Sequence, residues 1–401
     1  MRRIAEIAQA LKQAGLDGWL FYDFRRSDPL AYRILGLNPD ELSTRRRFYF
    51  VPTQGAPCAL VSAVEPNRLD QLPGKRIIYR SEREMTVSLA GILAGARRIA
   101  MDYSPNCAIP YVSRVDAGTV ELVRSCGVAV VTAADLIQRF EAALSTAQLD
   151  SHRRAASALI EVVNETFAEI ARSVRNGNPV SELSIQRYVI DRISAAYGMI
   201  TRDPPIVAIN AHAALPHFSP HQADDSRIKP GDLILLDLWA KEPGADAIYA
   251  DFTWMGFVGE HVPAEYAQAF SLIARARDAA IELVSARVQA GRRVTGEEAD
   301  LAARSIIEDA GFGAAFVHRT GHSIGREVHA NGANLDSLET RDARELIDHS
   351  CFSVEPGIYF PGRFGVRTEI DMTIEDGAAQ VTTGALQTEI IPLLAAFPQA
   401  D

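Results

Sequence analysis

Three histidines fall within twelve residues, in His318-Arg319-Thr320-Gly321-His322-Ser323-Ile324-Gly325 and then His329. Histidines four apart can share one helix face and hold a metal. Here Gly321, Gly325 and the β-branched Thr320 oppose a helix. Glycines on both sides of His322 suit a backbone that bends tightly or comes close to another group. A carboxylate follows inside an apolar run, Phe352-Ser353-Val354-Glu355-Pro356-Gly357-Ile358-Tyr359. A lone histidine in a polar loop is ordinarily surface decoration. A cluster followed by such a carboxylate reads instead as metal ligands arriving from separate loops and strands.

Other carboxylates sit where strands are expected. Asp237 ends the apolar run Leu233-Ile234-Leu235-Leu236, Asp251 lies in Ile248–Trp254, and Glu369 lies in Val366–Ile370. Burying one carboxylate is costly unless it is paired or metal-bound, and a local salt bridge is the usual answer for one. Asp237, Asp251, Glu355 and Glu369 together, with His322 as a fifth donor, offer four oxygen ligands and one nitrogen ligand. That is too many for one structural zinc and suits two divalent ions sharing bridging carboxylates. Two such ions roughly 3.5–4 Å apart can lower the pKa of a shared water and polarise a carbonyl together.

These residues need strands and loops to hold them. Residues 1 to about 145 alternate helical stretches with short apolar runs at Gly18–Tyr22, Arg47–Val51, Ala59–Val61, Arg76–Tyr79, Arg98–Met101 and Val128–Val131. This alternation predicts an α/β domain with a mixed or parallel sheet. After a boundary near residues 143 to 150, Leu159, Val162, Val163, Phe167, Ile170 and Val174 make one helical stripe, stopped by Asn176-Gly177-Asn178-Pro179. Helices are expected at Ser181–Tyr197, at Ala264–Gln289, and from the capping box Thr295-Gly296-Glu297-Glu298 to Gly311. Between them, strands are expected at Leu233–Leu238, Ala247–Phe257, Phe352–Tyr359, Val366–Ile374 and Glu389–Leu394. The second domain, 146–401, therefore reads as α+β, with helices covering one face of an antiparallel sheet.

Charge and composition narrow the function classes. The net charge of −10, from 51 acidic and 41 basic residues, opposes a nucleic-acid footprint, which needs a basic stripe. No apolar run approaches a membrane span. Glu6, Lys12 and Asp17 interrupt any signal-peptide core, and the four cysteines show no CxxC pairing, so a cytoplasmic protein is expected.

The order Asp237, Asp251, His322, Glu355, Glu369, with His217 upstream in Leu215-Pro216-His217-Phe218, resembles the pita-bread metallopeptidases. These are methionine aminopeptidase, Xaa-Pro aminopeptidase and prolidase. Thr320–Gly325, Val354–Tyr359 and Gly365–Glu369 match that family's metal segments in order. The preceding domain favours the prolyl branch, with a creatinase-like N-terminal domain over 1–145 and a pita-bread catalytic domain over 146–401. The resemblance implies hydrolysis of the Xaa-Pro bond of a small peptide with proline second, by a dipeptidase or, alternatively, an aminopeptidase acting on Xaa-Pro-Yaa. It implies two divalent ions, Mn²⁺ ahead of Zn²⁺ or Co²⁺, and a homodimer. Asp237 would bind one ion, His322 and Glu355 the other, while Asp251 and Glu369 bridge them. Glu355 would be general base and then acid, and His329 and His217 would hydrogen-bond the scissile carbonyl and tetrahedral intermediate. His318 would line the proline pocket, and Arg367 would orient Glu369.

Several positions depart from the family pattern. The two aspartates, commonly eleven apart, are fourteen apart here, with Lys241-Glu242-Pro243-Gly244 widening the turn. Trp254 stands where an arginine is common, and Ile248 where a tyrosine is usual, with Tyr249 displaced by one and expected on the opposite face. Ala333 occupies the position of an arginine that holds the substrate carboxylate in prolidases, which leaves Arg341 or Arg344 as candidate substitutes. Two other readings compete: a metal-free, creatinase-like C–N hydrolase, which predicts lost ligands, and a non-catalytic binding protein on the same fold.

Overall fold

A computed structural model describes residues 2–398. The chain divides into two compact units, Met1–Glu141 and Ala142–Asp401. No helix among the described residues is long and apolar enough to cross a membrane.

The first unit carries helices α1 (Arg2–Gln13), α2 (Pro29–Leu35), α3 (Glu82–Leu93), α4 (Ala117–Ser125) and α5 (Ala134–Ile137). Its strands are β1 (Gly18–Asp23), β2 (Arg47–Pro52), β3 (Cys58–Ser62), β4 (Lys75–Tyr79), β5 (Arg98–Met101) and β6 (Ala129–Thr132). They form one mixed sheet in the order β4-β3-β2-β1-β5-β6, with β1 antiparallel to β2 and parallel to β5. Successive β1 side chains serve opposite cores: Trp19 and Phe21 pack with Ile7 and Leu11 on one face, Leu20 and Tyr22 with Met85 and Leu89 on the other. A strand buried on both faces reads as a continuous apolar run, which is why β1 shows no alternation.

In the second unit, α6 (Thr146–Arg175) begins at a capping box formed by Ser145 and Gln148. The helix α7 (Glu182–Asp191) runs into a π-turn at Arg192–Ala196. The long α8 (Ala264–Gln289) and α9 (Gly296–Asp309) follow, the latter with Thr295 and Glu298 as a reciprocal cap. A short pair joins β7 (Val180–Ser181) to β9 (Arg227–Ile228). The main strands are β8 (Ile206–Ile209), β10 (Leu233–Ala240), β11 (Ala250–Phe257), β12 (Ser323–Ile324), β13 (Ser350–Val354), β14 (Gly357–Phe360), β15 (Phe364–Arg367), β16 (Ile370–Glu375), β17 (Ala378–Val381) and β18 (Ile391–Pro392).

They build not one antiparallel sheet but two of four strands, β18-β11-β10-β8 and β12-β13-β16-β17, plus the ribbon β14–β15. The expected strands Phe352–Tyr359 and Val366–Ile374 are each broken in two, and Glu389–Leu394 shrinks to β18 followed by the short helix α10 (Leu393–Ala396). The α6 stripe packs on Ile234, Leu236, Leu238 and Phe252, while α8 and α9 share a core with Leu233, Leu235 and Met255. Side chains alternate along a strand, so Asp237, Asp251 and Thr253 project on the same side as Leu235 and Met255.

The first unit also buries two carboxyl groups together. Asp28 caps α2 by accepting from Leu30 N and Ala31 N, and Asp102 accepts from Trp19 Nε1 at 2.9 Å. Both are essentially inaccessible, and each keeps one oxygen with no other partner. Burial raises both, Asp28 to about 6 and Asp102 well above the carboxylate range. The charge of Asp28 adds to the rise of Asp102 and that of Asp23 to the rise of Asp28, with Arg114 opposing it in both. A carboxyl whose pKa is higher folded than unfolded contributes stability that is full below the unfolded value and lost as pH rises through the folded one. Resistance to denaturant, followed by fluorescence of Trp19 in a variant with Trp239→Phe and Trp254→Phe, is therefore expected to fall as pH rises from about 4 through about 6, and Asp102→Asn to flatten that slope.

Candidate metal centre

The two aspartates are set by strand register. Asp237 faces Thr253 across the β10–β11 ladder and Trp239 faces Asp251, which leaves the aspartates diagonal neighbours on one face. The wide connection between the strands leaves this ladder intact. Lys241 donates to the Arg326 carbonyl at 2.7 Å and lies 4.9 Å from the Tyr249 ring centroid. Tyr249 packs in a separate apolar cluster with Ile248, Ile324 and Cys351.

The two glutamates sit at the breaks in the β13–β14 and β15–β16 strands. Val354 pairs with Ile370, and the same register resumes with Gly357 opposite Arg367. Between them Glu355 and Glu369 leave the ladder. Pro356 has no N–H to give it, Glu355 N donates to the Thr320 carbonyl at 2.6 Å, and Glu369 N donates to the Thr253 carbonyl at 3.3 Å. The interruption turns both carboxylates away from ordinary sheet positions.

No helix carries the histidines; the segment contains only the two-residue β12. Gly321 exchanges backbone bonds with Leu335, and a Cβ there would overlap the Ser353 carbonyl oxygen. His322 N donates to Ser353 Oγ at 3.0 Å, and Ser353 N returns a bond to the His322 carbonyl at 2.9 Å. His322 Nδ1 faces the Ser323 carbonyl at 3.2 Å, which places the proton there. Nε2 then presents its lone pair 3.6 Å from Asp251 Oδ2 and 3.5 Å from Glu355 Oε1. Donor atoms of Asp251, His322 and Glu369 all converge within 4.8 Å. The His329 ring meets the His322 ring edge-on with centroids 4.4 Å apart. His217 lies exposed beyond the turn Asn210–Ala214, close enough for its charge to act on Asp237, His318 and His329.

The electrostatics show what this cluster lacks. Asp237, Asp251 and Glu369 are buried, and Oδ1 of each aspartate has no hydrogen-bond partner among the described residues. Burial first, and then Glu369, Asp237, Asp371 and Glu355, raise the Asp251 carboxyl far above its ordinary value. Glu369 rises in the same way, and burial pushes Glu355 up to about 7 against the opposing charges of Arg367 and Arg319. Burial also holds His322 neutral. Packed carboxylates, orphaned oxygens and a neutral imidazole with a bare Nε2 fit divalent cations, which would take the place of the protons this set otherwise needs.

Arg367 is the buried cation of the cluster. One terminal nitrogen binds Asp237 Oδ2, Nε donates to Thr253 Oγ1 at 2.9 Å, and Thr253 Oγ1 donates to Glu369 Oε2 at 2.8 Å. Arg367 thus touches Asp237 directly and reaches Glu369 through Thr253. Its other nitrogen donates to the Tyr359 hydroxyl at 3.3 Å, whose proton then goes to His318 Nε2 at 2.7 Å. His318 Nδ1 donates to the Arg319 carbonyl, so both ring nitrogens are engaged and the ring offers its carbon faces.

Thr253, Ser353, Tyr359 and Asp371 were not singled out in the sequence. Asp371 accepts from Asp251 N at 2.8 Å. Its signal was available, a further carboxylate two residues beyond Glu369 in an apolar run; the hydroxyl groups had none. The suggested substitutes for the missing arginine are committed elsewhere. Arg341 pairs with Glu297, and Arg344 binds Asp342 and the carbonyls of Asn331 and Gly332. Arg319, buried and next to His318, adds its charge at His322, His329 and, after Arg367, at Glu355.

Residues 150–376 match the model for metallopeptidase family M24. A Mycobacterium bovis protein named "Probable dipeptidase PepE" is 27% identical, covering 98% of this chain and 96% of its own. The Xaa-Pro dipeptidase of Lactobacillus delbrueckii subsp. lactis is 30% identical over 55% of each chain. The crystal structure of dipeptidase PepE from Mycobacterium ulcerans superposes with a TM-score of 0.70 at 25% identity, covering 97% of this chain and 96% of that one. The architecture is the α+β pita-bread fold with an added N-terminal domain.

Arg367→Lys keeps the charge and loses the fork that joins Asp237, Thr253 and Tyr359. Metal-free protein titrated with Mn²⁺ in a calorimeter is expected to bind about 10–100-fold more weakly in this variant. Gly321→Ala is expected to destabilise the metal-free protein by about 1–3 kcal/mol in urea unfolding, because Ser353 must move.

Proposed function

Since the chain belongs to metallopeptidase family M24, we propose that it is a Xaa-Pro dipeptidase working with two divalent ions, Mn²⁺ ahead of Zn²⁺ or Co²⁺. The convergence of Asp251, His322 and Glu369, beside orphaned oxygens on Asp237 and Asp251, carries this reading. Asp237 would hold one ion, His322 and Glu355 the other, with Asp251 and Glu369 between them. Bound there, the ions would supply Lewis-acid polarisation of the scissile carbonyl and an acidified water. Retention of all five ligands speaks against the metal-free hydrolase.

The chain's own groups do the rest. Glu355, fixed by its N–H to Thr320 and by Ser353 Oγ at 3.3 Å from Oε1, takes the water's proton and passes it to the leaving proline nitrogen. His217 and His329 donate to the substrate carbonyl and to the negative charge that builds on it. Tyr359 locks His318 so that its ring packs against the proline. Arg367 keeps Asp237 in place. Residues 1–145 serve as a creatinase-like N-terminal domain, 146–401 as the catalytic domain, and the working form is a homodimer.

The full-length likeness to a protein named as a dipeptidase favours that substrate class over longer peptides. Ala333, together with the commitment of Arg341 and Arg344 to other partners, favours the second reading, a Xaa-Pro aminopeptidase. Metal-stripped protein given Ala-Pro and Ala-Pro-Ala, with and without Mn²⁺, separates them. Mn²⁺-dependent cleavage of Ala-Pro alone is expected. Cleavage of only the longer peptide makes it an aminopeptidase, and cleavage of neither makes it a binding protein. Glu355→Gln is expected to lower kcat by about 10²–10⁴-fold.

A further inference from the structure

Two charged residues of α9 are buried where a solvent-exposed helix would show an ordinary ion pair. Asp300 and Arg304 lie one turn apart, and Arg304 Nε binds Asp300 Oδ2 at 2.9 Å. Asp300 is inaccessible and Arg304 nearly so. A surface pair at this spacing would contribute only a few tenths of a kcal/mol. Here five further hydrogen bonds leave the pair for segments outside the helix. Asp300 Oδ1 accepts from Thr320 N at 2.8 Å, and Oδ2 accepts from Ser337 N at 3.1 Å and from the Ser337 hydroxyl. Arg304 donates to the Phe316 carbonyl at 3.3 Å and the His318 carbonyl at 2.8 Å, with its guanidinium 4.1 Å from the Phe316 ring centroid.

Three of those bonded groups flank or belong to the histidine segment. Thr320, held through its N–H by Asp300, accepts through its carbonyl from Glu355 N at 2.6 Å. One residue thus separates Asp300 from the backbone of Glu355, and Gly321 alone separates Thr320 from His322. Burial would raise the Asp300 carboxyl, but bonds from Arg304, Ser337 and Thr320 prevail and hold it below the usual range.

We propose that the buried Asp300–Arg304 pair is a positioning device for the metal centre, fixing where the His322 imidazole and, through Thr320, the Glu355 carboxylate stand. It rests on the dinuclear reading above. Neither residue touches a ligand side chain. They act by tying the irregular 316–322 segment to a rigid helix, and rigid support of this kind governs how well a site holds its ion.

The test is Co²⁺ titration of metal-free wild type, Asp300→Asn, Arg304→Lys and the remote core variant Ile170→Val, read by calorimetry and by visible absorption. Thermal unfolding of each metal-free protein is recorded alongside. Asp300→Asn and Arg304→Lys are expected to bind Co²⁺ about tenfold more weakly, with altered visible bands. Ile170→Val is expected to lose stability and keep both. Wild-type affinity and spectrum in the two α9 variants, with only their unfolding temperatures lowered, would overturn the proposal and leave a stability role. Should Asp300→Asn fail to fold, Ser337→Ala removes one donor and keeps the charge, and the same weakening is expected, to a smaller extent. A wild type that takes up no Co²⁺ overturns the dinuclear reading and this inference with it.

Discussion

Four carboxylates brought together in a space largely closed to water repel one another, and the C-terminal unit is built around that repulsion. Burial pushes every one of them toward the protonated form, and neighbouring carboxylates add to the rise of Asp251, Glu355 and Glu369. Arg367 answers part of it by binding Asp237, and Arg319 adds its charge at Glu355, but two positive charges cannot balance four negative ones. Divalent cations can, which is why the same geometry that is costly for a metal-free core suits a metal centre. The ligand segments are also braced against each other. Glu355 N bonds Thr320, Glu369 N bonds Thr253, Asp251 N bonds Asp371, and His322 N bonds Ser353. Moving one of these segments therefore strains the others, so the candidate site is preorganised by the chain's own hydrogen bonds.

The helices carry this bracing outward. Arg277 of α8, fully buried, donates to Thr368 Oγ1 at 2.9 Å and to the Gln387 carbonyl at 2.8 Å, one residue before Glu369. Arg304 of α9 grips the carbonyls on the other side of the centre, at Phe316 and His318. Buried arginines are tolerated because their rigid forks find acceptors for most of their donors. Each joins a regular helix to a stretch with no regular structure of its own. The N-terminal unit handles buried acid differently, with burial holding Asp28 and Asp102 toward the protonated form where the C-terminal unit offers candidate sites for cations. Three carboxylates gathered around an imidazole with a free Nε2, with a fourth held beside them by Arg367, suit a metal instead.

Much of the site could be read from residue types alone. Asp237, Asp251 and Glu369 stand out because a carboxylate in an apolar strand contradicts the pattern around it, and His322 because glycines flank it. The helices α8 and α9 were legible to within a residue or two, since caps and stripes are local signals. The splitting of Phe352–Tyr359 and Val366–Ile374 was not, because an apolar run looks the same whether or not its partner strand turns away at one point. Glu389–Leu394 failed for a similar reason, as only Ile391 and Pro392 find a strand to pair with.

By itself, then, the sequence determined which residues could bind metal, the α+β class and the order of elements, all consequences of local chemistry and periodicity. Tertiary structure alone decided how those residues meet. Register sets Asp237 diagonal to Asp251 despite a widened connection, and turns Arg367 onto Asp237 and Thr253 as well as toward Tyr359. It also engaged Arg341 and Arg344 elsewhere, and placed Arg319 where its charge reaches His322 and, with that of Arg367, Glu355. Partners hundreds of atoms apart along the chain are chosen by packing and hydrogen-bond satisfaction, and no window of sequence contains both halves of such a choice.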